Sequence, residues 1–252
     1  MMNITWLGQS GFLLTDGETT IALDPYLSTV VEDIKNYQRL MPPAMSPDDL
    51  RADLLFCSHN HFDHFDPVTV AAIVKNCPEC KIYGPVSVPE RAAKENILIA
   101  NFNTLQPGNS FESGNFKFRA LPARHSDPKA LGLLIEKHDL RIYFSGDTLY
   151  YPELSKEIKH LTQEPIDLAL LCINGQGGNM DASEAAHLAS ELNVKLTIPS
   201  HYGMFAENTV EPEYFCSSCH KSGIKVLTLI PGTKYNLRKK NDELFVPKDS
   251  KT

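Results

Sequence analysis

The sequence predicts an α/β domain in which strands and helices alternate and β-hairpins are added. Three observations carry this. Short apolar runs bounded by turn residues recur along the chain, and segments of helical period fall between several of them. Hydrophobic residues make up 42% of the chain against 22% charged, enough for a sizeable core and without a disorder signature. The 252 residues fit one large domain spanning 1–252, with no linker, repeat or low-complexity segment to divide it.

The elements follow in order. NITWLGQSGFLLTDGETTIALDPYL reads as β-structure broken at Asp16-Gly17, a hairpin-type turn, with the second run ending in Asp24. Residues 28–50 lose clear periodicity around Pro42 and Pro43, and so long a connection suggests a lid over a cleft. ADLLFCSH is a strand buried on both faces, followed at once by a histidine-rich loop. Asp66 caps a helix with Pro67 at its first position, running through VTVAAIVKNC. Strands are expected at KIYGP, FKFRALPA, ALGLLIE and LRIYFSGD, with a short helix inside PVSVPERAAKEN. DLALLCI is a further strand, DASEAAHLASEL a helix with Asp181 and Glu184 in capping-box spacing, and VKLTIPSH another strand. EPEYFCSSCHKSG is helix-like. IKVLTLI and the turn at Pro231-Gly232 close the fold, and the polar tail KKNDELFVPKDSKT is expected to fray.

Charge and cysteine usage count against several classes. The chain carries 24 Lys plus Arg against 31 Asp plus Glu, a net charge of -7, which opposes attraction to a nucleic-acid backbone. No apolar run approaches the roughly 18 residues that span a bilayer, so no membrane partner is expected. The opening MMNITWLGQSGFLL has neither a basic stretch nor a cleavage site, and the expected location is cytoplasmic. Six cysteines include the pairs Cys77 with Cys80 and Cys216 with Cys219. Their separation exceeds that of a compact zinc ribbon, so they read as reduced thiols.

The chemistry concentrates in SHNHFDHFD. Residues two apart in extended chain project to one side, so His59 and His61 share one metal while Asp63 and His64 turn toward a second. Three imidazoles and a carboxylate within six residues are far denser than nine histidines in 252 would place by chance, and such clusters are the usual sign of a metal site. Three further polar residues, His125, Asp147 and His201, each emerge just after an apolar strand. Groups at strand ends on one sheet edge converge on one crevice, where α/β folds bind their ligands.

In order along the chain, Asp24, the His59–His64 loop, His125, the Gly146-Asp147 pair and His201 resemble the metallo-β-lactamase superfamily. The resemblance runs from TWLGQSGFLL to PSHYGMF. WLGQSGFLL, SHNHFDHFD, FSGDTLYY and IPSHYGMF look most similar to its ascorbate-6-phosphate lactonase-like branch. It implies a four-layer αββα sandwich with two divalent ions, zinc or manganese with iron as a third choice, at one edge between two sheets. His59, His61 and His125 would hold one ion, Asp63, His64 and His201 the other, and Asp147 would bridge them. Such ions lower the pKa of a bound water toward about 7, producing a hydroxide that attacks a lactone or ester carbonyl, or a phosphorus centre, of a small-molecule substrate. Asp24 would orient a metal-binding histidine, with a strand-ending turn cap as the plainer alternative.

Substrate contacts are expected from Asn174, Gln176 and Asn179 in the glycine-rich INGQGGNMD loop, from Arg124 as a phosphate partner, and from Tyr202 as a proton donor. Each has a plain competitor. The loop equally suits a turn without a ligand, and Arg124, beside His125 in extended chain, points to the opposite side. His187, inside the DASEAAHLASEL helix, reads as packed or solvated. Two other enzyme classes share such a site. A phosphodiesterase or nuclease is opposed by the acidic balance, and di-iron redox relatives usually replace the loop's second histidine with a carboxylate where this chain has His61.

Overall fold

The computed structural model describes residues 2–240 and 243–248. The first half supplies strands β1 (Met2–Gly8), β2 (Gly11–Thr15), β3 (Thr20–Leu23), β4 (Leu54–Phe56), β5 (Lys81–Gly84) and β6 (Phe102–Thr104), with helices α1 (Val30–Lys35), α2 (Pro67–Asn76) and α3 (Ser87–Lys94). The second supplies β7 (Ser110–Ser113), β8 (Phe116–Pro122), β9 (Leu131–Lys137), β10 (Leu140–Phe144), β11 (Leu168–Cys172), β12 (Leu196–Ser200) and β13 (Lys225–Val226), with helices α4 (Leu154–Thr162), α5 (Ala182–Glu191) and α6 (Pro212–Lys221). Strands β14 (Lys234–Lys240) and β15 (Glu243–Phe245) follow.

These strands build two sheets, in the orders β15-β14-β1-β2-β3-β4-β5-β6 and β13-β12-β11-β10-β9-β8-β7. Strand periodicity decides what each face meets. In β4, Leu54 and Phe56 face the core between the sheets, while Leu55 and the following Cys57 face a second core with Val70 and Ile73 of α2 and Val88 and Ala92 of α3. Phe144 of the second sheet meets Phe12 and Phe56 of the first edge-on, at centroid distances of 6.3 Å each. Helices α4, α5 and α6 cover the outer face of the second sheet through Leu154, Ile158, Ala185, Leu188, Phe215 and Cys219. The result is the four-layer αββα sandwich.

Parallel pairing sets where the strands end. Strands β3 to β6 run parallel, as do β10 to β13. A parallel ladder delivers the C-terminal ends of its strands to one edge, so the loops that leave β3, β4, β10 and β12 share an edge of the sandwich. Two helices next to that edge start on side-chain caps. Asp66 accepts from the Val68 amide at 3.0 Å, with Pro67 opening α2. Asp181 accepts from Ser183 and Glu184 at 2.8 Å each, and Glu184 returns a bond to the Asp181 amide.

Several expectations are corrected. The tail from Lys239 is not frayed throughout: Lys239 and Lys240 pair antiparallel with Leu244 and Glu243 of β15, while residues 241–242 and 249–252 lie outside the described residues. The rest of β14, for which the sequence predicts no strand, pairs with β1 and buries Tyr235 and Leu237. IKVLTLI is a strand only at Lys225–Val226. The 28–50 connection is not structureless. It contains α1 and a short 3₁₀ turn at Pro47–Asp49, and the Leu40 amide donates to the Met204 carbonyl at 2.8 Å. Its Met41 lies against Gly8 and Gly203, so the segment runs along the loop that follows β12. The six cysteines are all free thiols.

Candidate metal centre

The structure gathers the seven side chains assigned as ligands, each leaving the C-terminal end of a strand. The His59–His64 loop follows β4, His125 follows β8, Asp147 follows β10 and His201 follows β12. The turns are tight. Asp24, after β3, has φ 39° and His201 has φ 60°, a left-handed conformation that residues other than glycine adopt only where their surroundings impose it. Gly146 has φ 55°, and a Cβ there would lie 2.7 Å from the Ser58 Cβ, so only glycine fits immediately before Asp147.

The donor atoms form two adjoining sets. His59, His61 and His125 bring ring nitrogens within 4.8 Å of one another, and a carboxylate oxygen of Asp63 and ring nitrogens of His64 and His201 lie as close; Asp24 forms a third such group with His59 of the first set and His64 of the second. In the first set His125 Nε2 is 3.2 Å from His61 Nδ1. In the second, His201 Nε2 is 3.4 Å and His64 Nε2 3.7 Å from Asp63 Oδ2. Asp147 lies between them: its Oδ2 is 3.2 Å from His64 Nε2, 3.2 Å from His201 Nε2 and 3.7 Å from His125 Nε2.

A second ring of contacts bears on which nitrogen His125, His64 and His59 turn inward. His125 Nδ1 donates to the Gly178 carbonyl at 3.0 Å, which leaves Nε2 as the lone-pair atom facing Asp147. His64 Nδ1 meets Asp24 Oδ2 at 2.7 Å. Asp24 is held in turn by the Ser58 amide at 2.6 Å and the Ser58 hydroxyl at 2.5 Å, and the same hydroxyl is 2.9 Å from His59 Nδ1. Partners of this kind raise ligand basicity and fix the tautomer.

Charge in the cluster is unbalanced in a telling way. Burial drives His59 well below the usual imidazole range, with His64 adding to the effect, and His61 falls to about 4 mainly through burial. Burial alone would raise Asp63 and Asp147, yet His64 and His201 hold both carboxyls well below the usual range. The same pairings outweigh burial at His64, pushed well up by Asp147, Asp63 and Asp24, and at His201, pushed up to about 9. Asp24 is itself pushed up by burial, against the pull of His64 and Ser58. Buried carboxylates therefore demand positive charge, which a divalent ion meets while displacing protons from the imidazoles. The donors fit that demand: His59 Nε2, His64 Nε2 and Asp147 Oδ1 are buried without a hydrogen-bond partner.

Other sequence-assigned residues do not join this cluster. Arg124 is exposed, its guanidinium carbon 3.6 Å from the centroid of the Tyr151 ring, because alternation turns it away from His125. Tyr202 stacks on Trp6 with centroids 4.9 Å apart and is buried in the main core. Asn174 is engaged with its neighbours, accepting from Asn179 at 2.9 Å and donating to Asn208 and the Gln176 carbonyl, while Gln176 is exposed. The glycine-rich loop serves His125 instead: Gly178 has φ 95°, and a Cβ there would lie 3.1 Å from His125 Nδ1. His187 is exposed, 3.8 Å from Glu191.

Sequence reasoning missed three residues. Ser58 was hidden by its ordinary side chain, although it immediately precedes the histidine loop. Asp127 accepts from the Asn60 amide at 3.2 Å and the Ser87 hydroxyl at 2.6 Å, tying the loop to α3. Gln9 donates to Asp63 Oδ2 at 2.8 Å, and only its position at the end of β1 hinted at the site edge.

Comparison with known proteins identifies the family. The family model described as the beta-lactamase superfamily domain matches residues 19–202. The chain is 31% identical over 231 residues to a UPF0173 metal-dependent hydrolase of Oenococcus oeni, covering 85% of this chain and 91% of the relative. It is 27% identical over 240 residues to a UPF0173 metal-dependent hydrolase of Thermus thermophilus, covering 92% and 97%. Among solved structures, Igni18, a metallo hydrolase from Ignicoccus hospitalis, superposes with a TM-score of 0.70 at 22% identity, covering 94% of this chain and 99% of that one, a likeness of fold. Sheets, site and relatives together make the chain a member of the metallo-β-lactamase superfamily, among its metal-dependent hydrolases.

Proposed function

We propose that the chain hydrolyses an ester or lactone bond of a small molecule at a two-ion centre, in the manner of the lactonase-like branch that it resembles. The carrying observation is Asp147 Oδ2, within 3.7 Å of imidazoles from both donor sets, the placement that a carboxylate shared by two ions needs. His59, His61 and His125 would hold one ion, Asp63, His64 and His201 the other, and zinc, manganese and iron all suit this donor chemistry. Bound ions supply a water activated near neutral pH and positive charge for the oxyanion that develops at the carbonyl.

The chain's own residues set the conditions for that chemistry. Asp24 holds the proton on His64 Nδ1 and the Gly178 carbonyl holds it on His125 Nδ1, so both Nε2 lone pairs stay aimed at the centre. Asp63 and Asp147, both held well below the usual carboxylate range, give the site negative charge, which attracts cations that would displace the protons His64 and His201 otherwise retain. The connection from Ser28 to Leu50 borders the loop of His201 and presents Leu40 to solvent at 58% exposure, an apolar margin for the substrate's carbon frame. Six free thiols support a reducing, cytoplasmic setting, and the core shared by both sheets supports a single domain over 1–252.

Phosphorylated sugar-acid lactones are the first substrate class to test. The Tyr151 ring covers one face of Arg124, so a phosphate group would have to be held without that guanidinium in its present place. Protein loaded separately with zinc, manganese or iron should hydrolyse members of a lactone and ester panel. Turnover of a generic phosphodiester with none of the lactones would replace this reading by the phosphodiesterase one.

A further inference from the structure

We propose that Gln9 is a further oxygen ligand of the ion position formed by Asp63, His64 and His201, making that position harder in ligand character than its neighbour. The inference rests on the two-ion reading. Gln9 stands in the β1–β2 turn, fully buried, with φ 49°. A buried non-glycine residue in that conformation persists only where its surroundings fix it. They do so through its carbonyl, which accepts from the Trp6 indole at 2.9 Å and from the His201 amide at 3.0 Å. The backbone of Gln9 is thus tied directly to the residue that carries one of the proposed ligands.

The side chain enters the same place. Its Nε2 is 2.8 Å from Asp63 Oδ2 and 3.1 Å from His201 Nε2, so the amide contacts two of the three donors at once. Its Oε1 is buried and has no hydrogen-bond partner. Such an orphaned acceptor costs about 1–3 kcal/mol and calls for an explanation. A cation supplies one, because the amide carbonyl of Asn or Gln is a regular ligand of hard cations. The terminal amide torsion is soft and roughly two-fold. Turning it presents Oε1 toward the donors and withdraws the amide hydrogens from the His201 Nε2 lone pair.

The chemical consequence is an asymmetry between the two positions. His59, His61 and His125 offer three nitrogens. Asp63 and Gln9 offer oxygens beside His64 and His201. Oxygen donors and a higher ligand count favour manganese over zinc, whose protein sites are mostly four-coordinate. The second position should therefore discriminate for manganese, and Gln9 should set that preference.

Calorimetric titration of the metal-free protein with Mn²⁺ and with Zn²⁺ tests this without any activity assay. Native protein should take up two equivalents. Gln9→Ala should weaken the second Mn²⁺ by at least about tenfold, by analogy with the loss of a supporting group at a metal site, with a smaller effect on Zn²⁺ and none on the first equivalent. Gln9→Glu, which keeps the length and supplies a charged oxygen, should bind the second Mn²⁺ at least as tightly as native. An alanine variant that titrates like native with both metals overturns the proposal and leaves the two-ion reading standing. A glutamate variant as weak as the alanine one also overturns it, reducing Gln9 to a hydrogen-bond donor. Native protein that takes up fewer than two equivalents removes the two-ion reading and the role of Gln9 together. Circular dichroism of each metal-free variant checks folding. Should Gln9→Ala not fold, the Gln9→Glu titration decides alone.

Discussion

Asp147 is the position where one side chain serves both donor sets, at 3.2 Å from His64 and His201 and 3.7 Å from His125. Asp147→Ala should cost the protein a ligand at each position, with bound metal and hydrolysis both lost. Retention of two metals with near-normal turnover would remove the bridging role. Asp24→Ala acts differently, because Asp24 touches His64 and Ser58. It should weaken metal binding by about 10- to 100-fold without changing the stoichiometry at saturating metal. Metal analysis of both variants, with circular dichroism to confirm folding, separates the two roles. These residues were legible in the sequence because histidine and aspartate are rare at the ends of apolar strands and dense in the loop after β4. Gln9 and Ser58 were not, since a neutral amide or hydroxyl carries no metal signature: Gln9 acts on Asp63 and His201, far along the chain, and Ser58 on Asp24 as well as on its neighbour His59. The Gly178 carbonyl is a backbone group, invisible to any reading of side chains.

At the scale of elements, α5 starts on the reciprocal cap of Asp181 and Glu184, directly after the glycine-rich loop that grips His125. Asp181→Ala should lower stability by about 1 kcal/mol, the usual cost of losing a side-chain cap, read as a lower denaturant midpoint at unchanged slope. The 28–50 connection makes a second prediction. Its Leu40 is fastened to Met204, beside the loop of His201, so Leu40→Asp should change KM unequally across a substrate panel while metal content stays native. Unaltered kinetics on every substrate would argue against a role in access. The cap was plain from residue spacing. The fold of the connection was not, because α1 has only six residues and is held by tertiary contacts instead of periodicity. The strand β14 was missed for a related reason: in KYNLRKK only Tyr235 and Leu237 are buried, too few apolar residues to mark a strand, and its last two lysines open the segment read as a polar tail.

For the whole molecule, the sandwich is joined at the end away from the metal edge by Asp16, in the turn between β2 and β3, and Lys137, at the end of β9. Burial would raise the Asp16 carboxyl, but Lys137 and the amides of Thr19 and Glu18 hold it at about 2. A carboxyl lowered by folding stabilises the native state above its unfolded pKa of 3.8, and the benefit fades as pH falls from about 4 to about 2. Asp16→Asn should therefore cost on the order of 1–2 kcal/mol near neutral pH, and its denaturation midpoint should converge with that of native protein at the acid end. A constant gap across that range would show that the pair does not link the sheets.

The opposite edge has a consequence of another kind. Its donors come from both sheets and from residues 59 to 201, so every ion bound there ties the folding of one half of the chain to the other. Ligands that bind only the folded state add RT ln(1 + [M]/Kd), about 2.7 kcal/mol when metal stands at a hundred times Kd. Proteases act on opened chains in proportion to their population. The lifetime of this protein against proteolysis should accordingly track the supply of its metal, making the amount of enzyme, as well as its activity, a readout of metal supply.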